Sequence, residues 1–131
     1  MYVLMIARNG PRLNESTSRP DAPPVLINRI FPDRVLLPAR NATLGQFASM
    51  IQRAVLDRPV VDKTGLLGRY DFDLEWTPDE TQFGGQGPRI SEPSKPGLFA
   101  AIQQQLGLKL EAARGRVEVL VLDGAERPSA N

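Results

Sequence analysis

Histidine and cysteine are both absent from this chain of 131 residues. Without histidine, the usual general base near neutral pH is missing, and so is the commonest transition-metal ligand. Without cysteine there is no thiol nucleophile, no thiolate zinc site and no disulfide. A Ser-His-Asp triad cannot be assembled, so any catalysis falls to Asp, Glu, Lys, Tyr, Ser or Thr. An excess of charge is also lacking: sixteen basic and fifteen acidic side chains give a net charge of +1. With no run of Lys or Arg to track phosphates, the sequence is read as having no nucleic-acid partner. No apolar run approaches the length of a membrane span. Met1 to Ala7 is apolar but lacks a basic leader and is short for a signal-peptide core, so it reads as a strand.

What the chain does hold is a near-copy of part of itself. Gly45-Gln46-Phe47-Ala48-Ser49-Met50 returns as Gly97-Leu98-Phe99-Ala100-Ala101-Ile102, and each copy leads from helix-type into strand-type sequence. Self-similarity of this kind points to the building unit, here helix, strand, turn, strand, over residues 43–76 and again over 95–123. The expected architecture is one α+β domain spanning residues 1–131, made of two helix–strand–strand units, with two helices packed on a mainly antiparallel sheet. On the repeat, Phe47 and Phe99 are predicted to hold equivalent core positions.

The elements follow from local signals. Thr43 and Gln46 fit a capping box, and Leu44, Phe47, Ala48, Ile51 and Val55 fall on one helical face, with Arg58-Pro59 as the stop. A second helix is predicted from Pro96 to Leu106, with Leu98, Ile102 and Leu106 inward, Phe99 beside them, and Gly107 as its end. Tyr70, Phe72, Leu74 and Trp76 alternate with Asp71, Asp73 and Glu75, the pattern of a half-buried strand. Val25 to Ile30 and Val35 to Leu37 are short β-type runs, and Pro32 and Pro38 place them at edges or hairpin ends. Leu108 to Glu111 and Arg116 to Asp123 predict a closing hairpin turned at Arg114-Gly115, with Pro128 to Asn131 as a tail. Between the units, residues 77–95 carry Gly84, Gly85, Gly87 and Pro88 and read as a long flexible excursion.

Two long stretches resemble a known family. One is Val60-Val61-Asp62-Lys63-Thr64-Gly65-Leu66 continuing through Gly68 and Tyr70-Asp71-Phe72 to Leu74-Glu75-Trp76-Thr77-Pro78-Asp79. The other is Gln105-Leu106-Gly107-Leu108-Lys109-Leu110-Glu111, then Val117 to Asp123 and Glu126-Arg127-Pro128-Ser129. Together they resemble a large domain-of-unknown-function family of exported proteins from soil bacteria, acidobacteria above all, and the likeness covers most of the chain from Tyr2 to Asn131. The resemblance implies a periplasmic or secreted protein. It also implies that this sequence corresponds to a C-terminal portion, since members carry an export signal and a further α/β segment upstream. It passes on no catalytic residue. In pattern alone, helix followed by Leu-Gly-Leu-x-Leu is similar to the short N-terminal repeats of secretins and TonB-dependent receptors, which are interaction modules.

The candidate chemistry is carboxylate chemistry. Asp71, Asp73 and Glu75 lie on one strand face, each roughly 6 to 7 Å from the next, close enough for Ca²⁺ binding or for an acid–base pair acting on glycosides. The same alternation equally describes a solvated face paired with Lys or Arg on the neighbouring strand. Asp62 and Lys63, beside Thr64, could form a small reactive cluster, and equally make an ordinary turn. Trp76 is the only tryptophan; it could serve as a stacking platform or partner anchor, or close one end of a core. Gly84-Gly85-Gln86-Gly87 follows no strand and lacks the phosphate-loop lysine. The sequence therefore implies no cofactor and no metal. The reading is a non-catalytic extracytoplasmic interaction module with a protein or cell-envelope partner; the alternative is a small hydrolase using these carboxylates.

Overall fold

The computed structural model describes residues 1–8, 10–19, 21–90 and 92–113. The predicted strand from Arg116 to Asp123, the turn at Arg114-Gly115 and the tail lie outside the described residues.

The architecture is α+β, with two helices and two sheets of mostly antiparallel strands rather than the single sheet expected. In the first sheet, β1 (Tyr2–Ile6) lies between β6 (Val60–Asp62), which runs parallel to it, and β8 (Leu108–Ala112), which runs antiparallel. In the second, β5 (Val35–Ala42) pairs with β7 (Tyr70–Trp76) on one side. On its other side lie β3 (Val25–Leu26) and β4 (Arg29–Ile30), while β2 (Asn14–Glu15) adds to the far side of β7. The two strands of the first predicted unit, β6 and β7, thus belong to different sheets. The hydrophobic pattern shows which face of a strand is buried, not which strand it meets.

The first helix forms as its sequence dictates. Thr43 Oγ1 accepts from the Gln46 amide at 3.1 Å while Gln46 Oε1 accepts from the Thr43 amide at 2.9 Å. These bonds open α1 (Leu44–Met50), which continues as a wider π-helical segment, Ile51–Leu56. It ends at Asp57 in the left-handed region, directly before Arg58-Pro59. Its predicted face, Leu44, Phe47, Ala48, Ile51 and Val55, is buried, and Phe47 meets Phe72 of β7 edge-on at 5.3 Å. The second helix, α2 (Leu98–Ala101) with a π-helical continuation Ile102–Leu106, stops at Gly107 with φ 66°. Leu98, Ala101, Ile102 and Leu106 are its buried row.

Phe99 corrects the equivalence drawn from the repeat. It is 38% exposed, edge-on to Tyr2 at 5.4 Å, whereas Phe47 is 1% exposed. The N-caps explain this. Thr43 caps the first helix and Gly97 the second, so Leu98 answers Leu44 and Ala101 answers Phe47. Gly45 and Gly97 therefore stand two residues apart relative to their caps, and on a helix two residues is slightly more than half a turn.

Pro38 sits in a central strand, not at the predicted edge. The backbone of Glu75 bonds away from β5, and bonding directions alternate along a strand. On β7, Phe72, Leu74 and Trp76 therefore face β5, and on β5 it is Leu36, Pro38 and Arg40 that face β3 and β4. Pro38, which has no N–H to give, stands opposite Ile27. There the ladder breaks: Val25, Leu26, Arg29 and Ile30 are paired to β5 in one continuous register, and Ile27 and Asn28 between them are not.

One core joins both sheets and both helices. The excursion of residues 77–95 is tied to it at both ends. The Thr77 amide donates to the Pro96 carbonyl at 2.8 Å and the Thr77 hydroxyl to the Lys95 carbonyl at 2.6 Å. Gln82, 1% exposed, accepts the Trp76 indole N–H at 2.8 Å, and Phe83 stacks on the indole at 6.3 Å and 10°.

A candidate interaction edge

The acidic row of β7 points outward as alternation requires, and each carboxylate has its own partner. Asp71 accepts the Asn41 amide at 2.8 Å, at the bulge between Ala39 and Ala42. Asp73 pairs with Arg40 at 2.9 Å. Glu75 accepts from Arg34 at 2.7 Å and faces Lys95 at 3.3 Å. The Arg34 hydrogen bond is the main cause of a Glu75 pKa below its ordinary 4.5; burial opposes it, and Lys95 lowers it further. Asp33 is also lowered, first by the Ser94 hydroxyl that bonds it at 2.7 Å and then by Arg34. Both displaced carboxyl groups are lowered, whereas a general acid near neutral pH needs one raised. Among the described residues no cluster of His, Cys, Asp or Glu is arranged to hold a metal ion.

A depressed folded-state pKa adds stability that is present above the unfolded value and is lost as pH falls through the folded one. Glu75→Gln should therefore lower stability at pH 7 by about 0.5 to 1 kcal/mol, a solvent-screened figure for a group this accessible. The difference should be smaller at about pH 3, below the ordinary carboxyl range, than at pH 7, and it is lost fully only once Glu75 is protonated in the folded state. Denaturant titrations of both proteins at the two pH values check this; an equal gap at both would remove the ion pair as its cause.

The other candidate residues lie in a turn, in a strand ladder and in the core. Asp62 Oδ1 accepts from the Thr64 amide at 3.0 Å and the Thr64 hydroxyl at 2.7 Å, closing a local turn. Lys63 uses its amide to extend the β1–β6 ladder to the Leu4 carbonyl at 2.8 Å, and its side chain is exposed. Trp76 is 0% exposed and offers no ring face to a ligand. A cavity of about 300 Å³ beside Pro78 includes Asp79 and Glu80. Both are exposed, and Asp79 is turned onto the Thr81 amide at 2.8 Å.

The two margins of the second sheet differ. Along β7 most of the margin is covered: β2 covers Asp71, the Gln105 side-chain amide donates to and accepts from the Glu75 backbone at 2.8 Å each way, and Pro96 takes the Thr77 amide. Gln105 thus acts as one residue of an extra strand. Along β3–β4 the margin is open among the described residues. Val25, Ile27 and Arg29 direct their backbone toward β5, so Leu26, Asn28 and Ile30 direct theirs outward. Val25, Ile27 and Ile30 are 42%, 66% and 61% exposed. Unpaired strand edges with apolar side chains are what soluble proteins ordinarily suppress. This edge is defined by β5, whose inner residues Val35, Leu37 and Ala39 are fully buried, and by Asn41. The latter, 2% exposed at φ 54°, donates its side-chain amide to the carbonyls of Arg19 and Ala22 at 3.0 and 2.8 Å and so seats the segment leading into β3.

Residues 1–125 match the family described as protein of unknown function (DUF3738). The chain belongs to that family. The match takes in the first long motif, the second as far as Asp123, and every element described above. No curated protein and no solved structure matches the chain.

Sequence reasoning read Val25 to Ile30 as β-type and placed it at an edge or hairpin end, where β3 and β4 lie, but it passed over Asn28, Asn41, Gln82 and Gln105. One signal was available for the margin: Pro24 and Pro32 bracket the run at both ends, a device that limits edge strands.

Proposed function

We propose that this member of the family is a non-catalytic interaction module, periplasmic or secreted as the resemblance implies, whose binding element is the β3–β4 edge. The observation that carries the reading is the contrast between margins: side chains and a loop cover most of the β7 side, while the β3–β4 side presents outward backbone groups beside Val25, Ile27 and Ile30. Such an edge takes an extended strand, with main-chain hydrogen bonds giving affinity and alternate side chains giving selectivity. The ion-paired carboxylates supply neither a shielded nucleophile nor a proton donor.

The test is selection from a displayed library of extended peptides against the immobilised chain, repeated with Asn28→Pro. That variant removes one outward N–H at a position already outside the β5 ladder. Enriched peptides should alternate apolar residues and bind the variant at least about tenfold more weakly, about 1.4 kcal/mol. Enrichment of nothing, or equal binding to both proteins, would overturn the reading. So would glycoside hydrolysis that disappears on replacing Asp71, Asp73 or Glu75 with its amide.

A further inference from the structure

We infer that the β3–β4 edge is self-complementary and that its occupant is a second copy of this chain, paired antiparallel about a two-fold axis at Asn28. The inference rests on the edge reading above and adds the identity of the partner. Its basis is the symmetry of the strand in physical class. Counting outward from Asn28, the chain reads Ile27 and Arg29, Leu26 and Ile30, Val25 and Phe31, then Pro24 and Pro32. Two apolar pairs are followed by a proline on each side, at equal distance.

The bonding directions make that symmetry usable. Leu26, Asn28 and Ile30 turn their N–H and C=O groups away from β5. In an antiparallel pair centred on Asn28 they meet, respectively, the partner's Ile30, Asn28 and Leu26, each as a mutually hydrogen-bonded pair. Leu26 then packs beside Ile30 at both ends. The next outward position on each side is a proline, so the ladder stops after the same three pairs in both chains.

Neighbouring registers are worse for stated reasons. Sliding toward the C-terminal end centres the axis on Arg29 and sets two like charges directly opposite, which is destabilising. Sliding the other way centres it on Ile27 and sets Ile30 against the partner's Pro24, which has no N–H to exchange. In the register centred on Asn28, Arg29 faces the partner's Ile27 instead. An isologous interface requires that one patch complement itself, and this strand meets that requirement residue by residue.

The absence of cysteine makes the test clean. Directly opposed residues of a hydrogen-bonded antiparallel pair have Cα atoms about 5.5 Å apart, inside the roughly 4.4 to 6.8 Å range of a disulfide. Asn28→Cys should therefore oxidise to a covalent dimer under mild conditions, while Leu67→Cys, at a position 93% exposed elsewhere on the surface, should not. Sedimentation equilibrium of the unmodified chain should show a reversible monomer–dimer equilibrium. Asn28→Pro and Ile30→Lys should each weaken it at least about tenfold, with circular dichroism confirming that the variants are folded. Two substitutions of different kind guard against either one failing to fold. A dimer that survives both substitutions, equal cross-linking at the two cysteines, or a chain monomeric at every concentration would overturn the pairing. If the chain is monomeric while library peptides still bind in an Asn28-dependent way, self-pairing alone is wrong. If no peptide binds either, the edge reading fails with it.

Discussion

Gly10→Ala is expected to destabilise the fold by about 3 kcal/mol, a value at the upper end for overpacking of a close contact. A Cβ at Gly10 would overlap the carbonyl oxygen of Gly107, and the nearest atoms are all backbone. No side chain can rotate away to make room. The oxygen it would strike is also the acceptor for the Ala7 amide at 3.0 Å, and the Arg12 amide bonds the Leu106 carbonyl at 2.7 Å alongside. These bonds fasten the chain leaving β1 across the end of α2, where the second helix turns into β8. Moving the carbonyl would therefore cost hydrogen bonds, each worth roughly 0.5 to 1.5 kcal/mol, as well as packing. Gly107→Ala should be as damaging, since its φ of 66° is left-handed and its Cβ would lie 2.8 Å from the Arg12 nitrogen. Gly45→Ala is the control: its Cβ would meet only Thr43 Oγ1, at 3.8 Å, and alanine in a helix gains roughly 0.5 to 1 kcal/mol over glycine. Thermal melts should then place Gly10→Ala on the order of 10 °C below the unmodified chain and Gly45→Ala level with it or above. A Gly10→Ala melt matching the unmodified chain would mean that the crossing has slack the packing does not suggest.

The crossing at Gly10 and Gly107 also illustrates what a sequence of this kind discloses. Gly107 was legible as a helix stop, because a glycine after a periodic apolar row is a local signal. Its contact with Gly10 was not, because nothing near either glycine records which distant backbone passes over it. The same division runs through the molecule. The capping box of Thr43 and Gln46, the buried face of α1 and the alternation of β7 are encoded within a few residues and are found as read. The separation of the strands into two sheets depends on which strand meets which. β1 takes β6 on one side and β8 on the other, pairings that no local pattern specifies. Phe99 was misplaced because the repeated motif carries a residue pattern without its helical phase, and the phase is set by the caps, Thr43 and Gly97.

The candidate site divides in the same way. That Asp71, Asp73 and Glu75 share an outward face was legible, since alternation alone requires it. That Arg40, Arg34 and Lys95 hold the two that are ion-paired was not, because those partners come from β5, the turn before it and the far end of the excursion. The covered margin at β7 depends on a glutamine side chain standing in for a strand, and glutamine on a helix gives no sign of that role. The open margin had more trace in sequence: two bracketing prolines and an apolar run that no neighbouring pattern needed.

Trp76→Ala should cost about 4 kcal/mol or more, close to the whole stability of many domains of this size. The indole is 0% exposed and packs between β5, where Val35 is its cross-strand neighbour, and the Phe83 ring stacked on it. Truncation leaves a cavity that rigid strands on one side cannot fill, and it deprives Gln82 Oε1 of its donor in a position 1% exposed. The two losses can be separated. Trp76→Phe retains most of the apolar volume and removes the N–H, so its cost should be dominated by the stranded Gln82 oxygen, roughly 1 to 3 kcal/mol. Gln82→Leu strands the indole N–H instead and should cost a similar amount. Combining the two replaces both polar partners with apolar groups, so the double variant should be clearly more stable than the sum of the single costs implies, with a coupling of about 1 kcal/mol or more. Denaturant unfolding followed by circular dichroism measures all four proteins on one scale, and emission of the lone tryptophan provides a second probe where it is retained. Additive single costs would show that the Trp76–Gln82 bond contributes nothing to stability. The excursion of residues 77–95 would then be held by the Phe83 stack, the Thr77 bonds and the contacts of Ser94 with Asp33 and of Lys95 with Glu75.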